Sequence, residues 1–177
     1  GEVDVPSLRW LLVHSWFLES GQAQRYAKLG MDATTSSGFT WGMGANFRDR
    51  IGPEVMGDVV PLRRMLDSGL RVGGGSDWGP KSSFRQIELA LTHEVAGSDE
   101  DNLGPAQRIS RHEALAMWTS DAAHVLGWDD IGTLRPGAHA DLAVLDRDPL
   151  ACDPTEIGKT GVETTLLSGR AVHGPDV

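Results

Sequence analysis

The apolar positions of this chain change their period along its length, and each change marks a predicted element. Residues 9–14 (RWLLVH) form a short, nearly continuous apolar run fit for a buried strand. Residues 18–29 carry Ala, Gln and apolar side chains at helical spacing, and Gly30 supplies the stop. Residues 31–35, small and β-branched, predict a second strand. Residues 36–53 have little periodicity. They hold four glycines with Phe39, Trp41, Met43 and Phe47 scattered among them, which reads as a long loop of the kind that carries function. Residues 54–68 put Val55, Val59, Leu62, Met65 and Leu66 on one side of a helix ended by Gly69. Residues 70–75 are a third strand, running directly into Ser76, Asp77 and Trp78.

Further on, residues 84–95 predict a helix and residues 97–105 a polar surface loop. Residues 109–126 read as one long helix, with Ser110 as N-cap, Glu113 completing a capping box and Gly127 as the stop. The character then changes. Pro136 and Gly137 suit a type II turn, residues 141–146 a buried strand, and residues 163–167 and 170–173 a hairpin around Ser168 and Gly169. Alternating strands and helices in the first part imply parallel strands joined by crossover helices, and so an α/β fold with a small β-rich section behind it. The division falls near residue 128, giving regions 1–128 and 129–177.

Composition narrows the function classes. With 40% hydrophobic residues among 177, the chain can bury a core. A net charge of -9 argues against nucleic acid or an anionic membrane as partner. The single Cys152 lies in an acidic, Pro-rich turn without a nearby base. It excludes an intrachain disulfide and fits a reducing compartment, so the expected location is cytoplasmic. No apolar run approaches the roughly 18 residues of a membrane span, and no secretory leader is expected. The first residue is Gly and not Met, which suits a piece of a longer chain.

Two residues carry candidate chemistry. Asp77 directly follows a strand rich in glycine (Gly73, Gly74, Gly75), and in α/β barrels catalytic residues sit at strand C-terminal ends. A carboxylate there can bind a metal and take a proton from water. It can equally cap the helix entering near Ser82, and strand-end aspartates are common caps. His14 also ends an apolar strand run and would reach the same mouth, as a metal ligand or as a packed or solvated imidazole. His93, His112, His124, His139 and His173 fall in helices or in the β-rich tail and read as structural or solvated. Trp41 and Phe47 could close over a substrate, and Arg48 and Arg50 could pair with a carboxylate. A phosphate-binding role for the glycine run lacks the GxxxxGK[ST] form.

Three stretches resemble a known family: LDSGLRVGGGSDWGP at 66–80, RISRHEALAMWTSDAAHVLG at 108–127 and IGTLRPGAHADLAVLDRDP at 131–149. The chain is similar to the C-terminal portion of the amidohydrolase superfamily, most closely the branch of N-substituted formamide deformylase. The resemblance implies about strands six to eight of a (β/α)8 TIM barrel, followed by part of a small β-sandwich. It implies a divalent metal, zinc with iron or manganese as alternatives. It further implies metal-dependent hydrolysis of an amide or other C–N bond in a small-molecule substrate. Asp77 then matches the last-strand metal ligand that accepts a proton from the attacking water and passes it to the leaving nitrogen. His14 matches the strand-six histidine, Trp78 becomes a rim residue, and Trp41 and Arg48 become substrate-contact candidates.

The chain departs from that pattern in two places. Val13 stands where the branch usually has Glu, and no His-x-His, bridging Lys or strand-five His occurs. Three strands cannot close a barrel of about 250 residues, so association with the missing barrel portion or a second chain is expected. The alternative is a non-catalytic binding or assembly domain built on the same scaffold.

Overall fold

The structure, a computed structural model, describes residues 3–77, 79–97, 104–175 and 177. Its first half is a three-stranded parallel sheet in the order β1 (Leu11–Leu12), β2 (Asp32–Thr35), β3 (Val72–Gly74). Leu12 pairs with Ala33, and Ala33 with Val72. The connections are helical. Helix α1 (Ser20–Lys28) begins with a capping box between Glu19 and Gln22, and Gly30 follows its end at φ +67°. Between β2 and β3 lie α2 (Gly38–Ile51), a 3-10 segment (Pro53–Asp58) and α3 (Leu62–Asp67). Helix α4 (Ser83–Thr92) follows β3, and α5 (Arg111–Met117) and α6 (Ser120–Leu126) come next. The core between sheet and helices holds Phe39, Val59, Leu62, Met65, Val72, Ile87 and Met117.

Several expected elements differ. The stretch at residues 36–53 is no loop: most of it is α2, 14 residues long. Its glycines lower helix propensity by about 1 kcal/mol each, which hid the helix. Their use is close packing: a Cβ on Gly44 would stand 2.9 Å from a methyl of Val95. The apolar residues Phe39, Met43, Phe47 and Ile51 recur every fourth position, and that was the readable signal. The expected helix at 54–68 is split at Pro61, whose ring cannot continue the preceding turn. The expected helix at 109–126 breaks at Trp118 and Thr119. The break lets the Trp118 indole lie on Gly74, where a Cβ would come within 2.6 Å of its nitrogen. Together with Ala122 and Val125 against Gly73, this accounts for part of the glycine run as helix-to-strand packing. The first strand is also shorter than the apolar run that announced it.

The second sheet is antiparallel, in the order β4 (Leu142–Leu145), β5 (Val162–Leu167), β6 (Arg170–His173). The hairpin expected around Ser168 and Gly169 is present, and positive φ at both residues gives its turn the backbone of type I′. Gly137 lies at φ +91°, as the third residue of a type II turn requires. A 3-10 segment (Pro154–Lys159) seats this half on α4. Ile157 is fully buried, and the Gly158 N–H donates to the buried Glu88 carboxylate at 2.8 Å. Val144, Leu167 and Val172 of this sheet remain exposed.

Candidate active site

Parallel strands deliver their C-terminal ends to one edge, and here that edge gathers the candidate residues. His14 lies two residues past β1, Thr35 is the last residue of β2, and Asp77 lies three residues past β3. The imidazole Nε2 of His14 and the carboxylate Oδ2 of Asp77 are 3.1 Å apart, in front of the intervening strand. Val13, His14, Thr34, Thr35, Ser36, Phe39, Gly75 and Asp77 line one cleft of ≈ 190 Å³.

Both residues have left-handed backbone, His14 at φ +68° and Asp77 at φ +41°, with Ser15 alongside at φ +48°. Non-glycine residues take this conformation at a cost and cluster at functional sites. The surroundings hold them there. The Thr35 hydroxyl donates to the His14 carbonyl at 2.5 Å. The Gly79 N–H donates to the Ser76 carbonyl at 2.9 Å, closing a turn that contains Asp77. The Lys81 ammonium donates to the Asp77 carbonyl. Asp77 does not cap the next helix: Ser82 does, accepting the Arg85 N–H at 3.3 Å.

An aromatic wall backs the imidazole. Phe39 meets the His14 ring edge-on at 5.7 Å and Trp16 lies tilted to it at 5.8 Å. Trp16 and Phe39 are 4.8 Å apart, and Phe47 and Phe17 extend the cluster. Such a wall fixes the ring plane and lowers the local dielectric on one side. The other side is open: the side chains of His14 and Asp77 are 55% and 40% exposed.

What the pair can do follows from its donors. An imidazole nitrogen and a carboxylate oxygen suit zinc, iron or manganese. Two donors about 2.0–2.2 Å from one zinc at tetrahedral angles would stand roughly 3.3–3.6 Å apart, so the observed 3.1 Å is a hydrogen-bond distance that a few tenths of an ångström would open to the spacing around a shared ion. Among the described residues no group of three or more His, Cys, Asp or Glu could hold a metal, and a catalytic zinc ordinarily has three protein ligands.

The other expected residues are not brought together with this pair. Trp41 and Arg48 lie on α2 and do not line the cleft, and Arg48 pairs with Asp49 at 2.8 Å. Arg50 lines a separate apolar groove with Met43, Asn46, Phe47 and Ile51. Trp78 lies outside the described residues. Sequence reasoning missed Phe39 and Thr35 as parts of the site. Phe39 was visible in the four-residue spacing of α2, whereas nothing in the sequence marks Thr35 as the group that holds His14.

Comparison with known proteins adds an independent line. The model of the Amidohydrolase family matches residues 4–173. The chain is 34% identical over 164 residues to N-substituted formamide deformylase of Arthrobacter pascens, covering 89% of this chain and 30% of that protein. Among solved structures, an uncharacterized metal-dependent hydrolase from Pyrococcus furiosus superposes with a TM-score of 0.66 at 26% identity. That match covers 79% of this chain and 28% of the other. A mutant of atrazine chlorohydrolase from Arthrobacter aurescens, in complex with zinc and atraton, superposes with a TM-score of 0.61 at 26% identity, covering 93% and 36%. The chain therefore spans about a third of the length of the proteins it matches.

Proposed function

The chain belongs to the amidohydrolase family, and from that membership we propose that the protein carrying it hydrolyses an amide or other C–N bond with a divalent metal held in part by His14 and Asp77. The observation that carries the reading is the 3.1 Å approach of His14 Nε2 to Asp77 Oδ2 at the C-terminal edge of the parallel sheet. The zinc in the chlorohydrolase complex supports zinc as the ion.

A divalent ion bound there would supply Lewis-acid activation of water. The chain's own residues do the rest. His14 presents its Nε2 in a plane set by Phe39 and Trp16. Asp77 presents the second donor, a carboxylate oxygen, and its carboxylate could take a proton from the attacking water and return it to the leaving nitrogen. Thr35 keeps the imidazole at the cleft through the His14 carbonyl. Phe39 excludes water from the inner wall.

On this reading β1, β2 and β3 are about strands six to eight of a (β/α)8 barrel. Residues 1–128 then form the barrel part and residues 129–177 part of a β-sandwich. The remaining ligands and most substrate contacts come from the rest of the barrel, on the same polypeptide or on a second chain. Leu11 of β1 and its neighbours Trp10 and Val13 are exposed, and that is where that part would pack. The 177-residue chain by itself is inactive on this account.

Metal analysis of the complete protein tests the reading. One equivalent or more of divalent metal in the wild type, with loss of metal from Asp77→Asn, is the expected result. A complete protein that binds no metal, or binds it equally well without Asp77, points instead to a non-catalytic domain on the amidohydrolase scaffold.

A further inference from the structure

We propose that Gln86 is a positioning residue that locks the Asp77 turn to the loop after β2 and so sets the geometry of the His14–Asp77 pair. The inference rests on the reading of that pair as metal ligands.

Gln86 is a polar side chain inside the core, 1% exposed, on the first turns of α4. Its amide oxygen accepts the Gly38 N–H at 2.7 Å and the Ser36 hydroxyl at 3.1 Å. Its amide nitrogen donates to the Pro80 carbonyl at 2.9 Å. One partner can only donate and another only accept, so the orientation of the amide is fixed by its surroundings. Ser36 and Gly38 belong to the segment just after β2, and Pro80 to the segment just after β3. The last backbone bond between the two strand ends runs from the Gly75 N–H to the Thr35 carbonyl at 2.9 Å; beyond it the Gln86 amide, with the Ser36 hydroxyl 3.5 Å from the Ser76 carbonyl, joins the two segments.

Two glycines make the junction possible. A Cβ on Gly38 would fall 2.8 Å from the Gln86 amide nitrogen and 3.0 Å from Pro80 Cδ. A Cβ on Gly79 would fall 3.2 Å from the same nitrogen and 3.3 Å from Gly38 Cα. The two loops thus meet backbone to backbone above the amide. Asp77 sits between Ser76, whose carbonyl accepts from Gly79, and Pro80, whose carbonyl accepts from Gln86. With φ at +41°, its backbone is not one that an untethered loop would keep.

Only an amide satisfies this site. A carboxylate at position 86 could accept from Gly38 and Ser36 but could not donate to Pro80 while ionised. A hydrocarbon of the same size would take the donor away from the part-buried Pro80 carbonyl and leave the Gly38 N–H with only its longer bond to the Ser36 hydroxyl oxygen at 3.2 Å. Groups that orient metal ligands from behind typically change metal affinity by about 10–100-fold when removed.

The test uses the complete protein as wild type, Gln86→Met, Gln86→Glu and Asp77→Asn. In metal-free protein, amide hydrogen exchange in residues 36–39 and 75–81 of Gln86→Met is expected to be at least about tenfold faster than in the wild type, with β4–β6 unchanged. Its zinc dissociation constant is expected to rise by about 10–100-fold. Gln86→Glu, which keeps the bonds to Gly38 and Ser36, should fall between Gln86→Met and the wild type. If Gln86→Met does not fold, Ser36→Ala takes its place and should move exchange in residues 75–81 in the same direction by less. Unchanged exchange at residues 75–81 together with wild-type zinc affinity overturns the inference. Wild-type affinity in Gln86→Met beside lost affinity in Asp77→Asn sinks this inference alone. Retained affinity in Asp77→Asn sinks the reading of the site, while the exchange result still decides whether Gln86 holds the turn.

Discussion

The parallel sheet has a histidine–aspartate pair at each end, and the two ends differ in everything except the pair. At the C-terminal end His14 and Asp77 stand 3.1 Å apart; at the N-terminal end His124 and Asp32 stand 3.2 Å apart. Asp32 is the first residue of β2, in ordinary strand backbone, and His124 lies in the last turn of α6, where the Arg9 guanidinium holds its carbonyl at 2.6 Å. Near them, burial pushes the Asp121 carboxyl above its usual range, and Arg71 and His124 pull it back. That end is a seam between helix and sheet. His14 and Asp77 both come from loops, both hold left-handed backbone and both face a cleft with an aromatic wall. The residue types and their distance therefore do not distinguish a candidate site from a structural tie. Strand polarity, backbone strain and an open cavity do.

Removing each carboxylate in turn should separate the two ends most widely. In the complete protein Asp77→Asn should lower kcat/KM by about 10²–10⁴-fold with little change in melting temperature, while Asp32→Asn should leave turnover unchanged. Steady-state kinetics on the two variants measure this. Equal losses would make the two ends functionally alike.

The largest effect on stability should belong to neither pair. Glu88, 6% exposed, accepts from Gly158 and pairs with Arg85. Glu88→Ala leaves the Gly158 N–H without its acceptor and Arg85 paired with Glu94 alone, and should cost about 1–3 kcal/mol, read from urea unfolding. A cost no larger than that of Asp32→Asn would contradict the assignment of the seam between α4 and the second sheet to this carboxylate.

The acid response of stability should likewise come from elsewhere. Burial holds the His93 imidazole below its usual value; Arg108 adds to the depression and the Val60 carbonyl opposes it. The unfolded chain then takes up that proton at higher pH than the folded one. Stability is present at neutral pH and is lost as pH falls below about 6.5. His93 has φ +57°, a conformation Asn tolerates, so His93→Asn should fold and should flatten the fall in urea midpoint between about pH 7 and pH 5. An undiminished fall in that variant would place the acid response on the exposed pairs instead. The smallest effect is expected at the N-terminal pair itself. With both side chains part-exposed, His124→Gln should cost no more than about 1 kcal/mol, and a larger cost would mean that this seam bears more of the fold than its exposure suggests.

Much of this was legible in the sequence, because periodicity reports which face of an element is buried. The strand ends that carry His14 and Asp77, the capping box at Ser110 and the hairpin at Ser168 and Gly169 all follow from local chemistry. Helix α2 was not read, because propensity counts its glycines against a helix while the fold uses Gly38 and Gly44 for close contact. The break at Trp118 was not read either: it answers to Gly74, a residue far away in sequence. Gln86 gave no signal at all. A polar residue in a helix reads as solvent-facing until two loops from other strands are seen to close over it.

On the proposed reading His14 and Asp77 share one divalent ion. Anomalous diffraction at the zinc edge, from crystals of the complete protein, tests it most directly. The predicted result is a peak about 2.0–2.2 Å from both His14 Nε2 and a carboxylate oxygen of Asp77. A well-ordered His14–Asp77 hydrogen bond with no peak beside it, or a metal held elsewhere in the barrel, would contradict it.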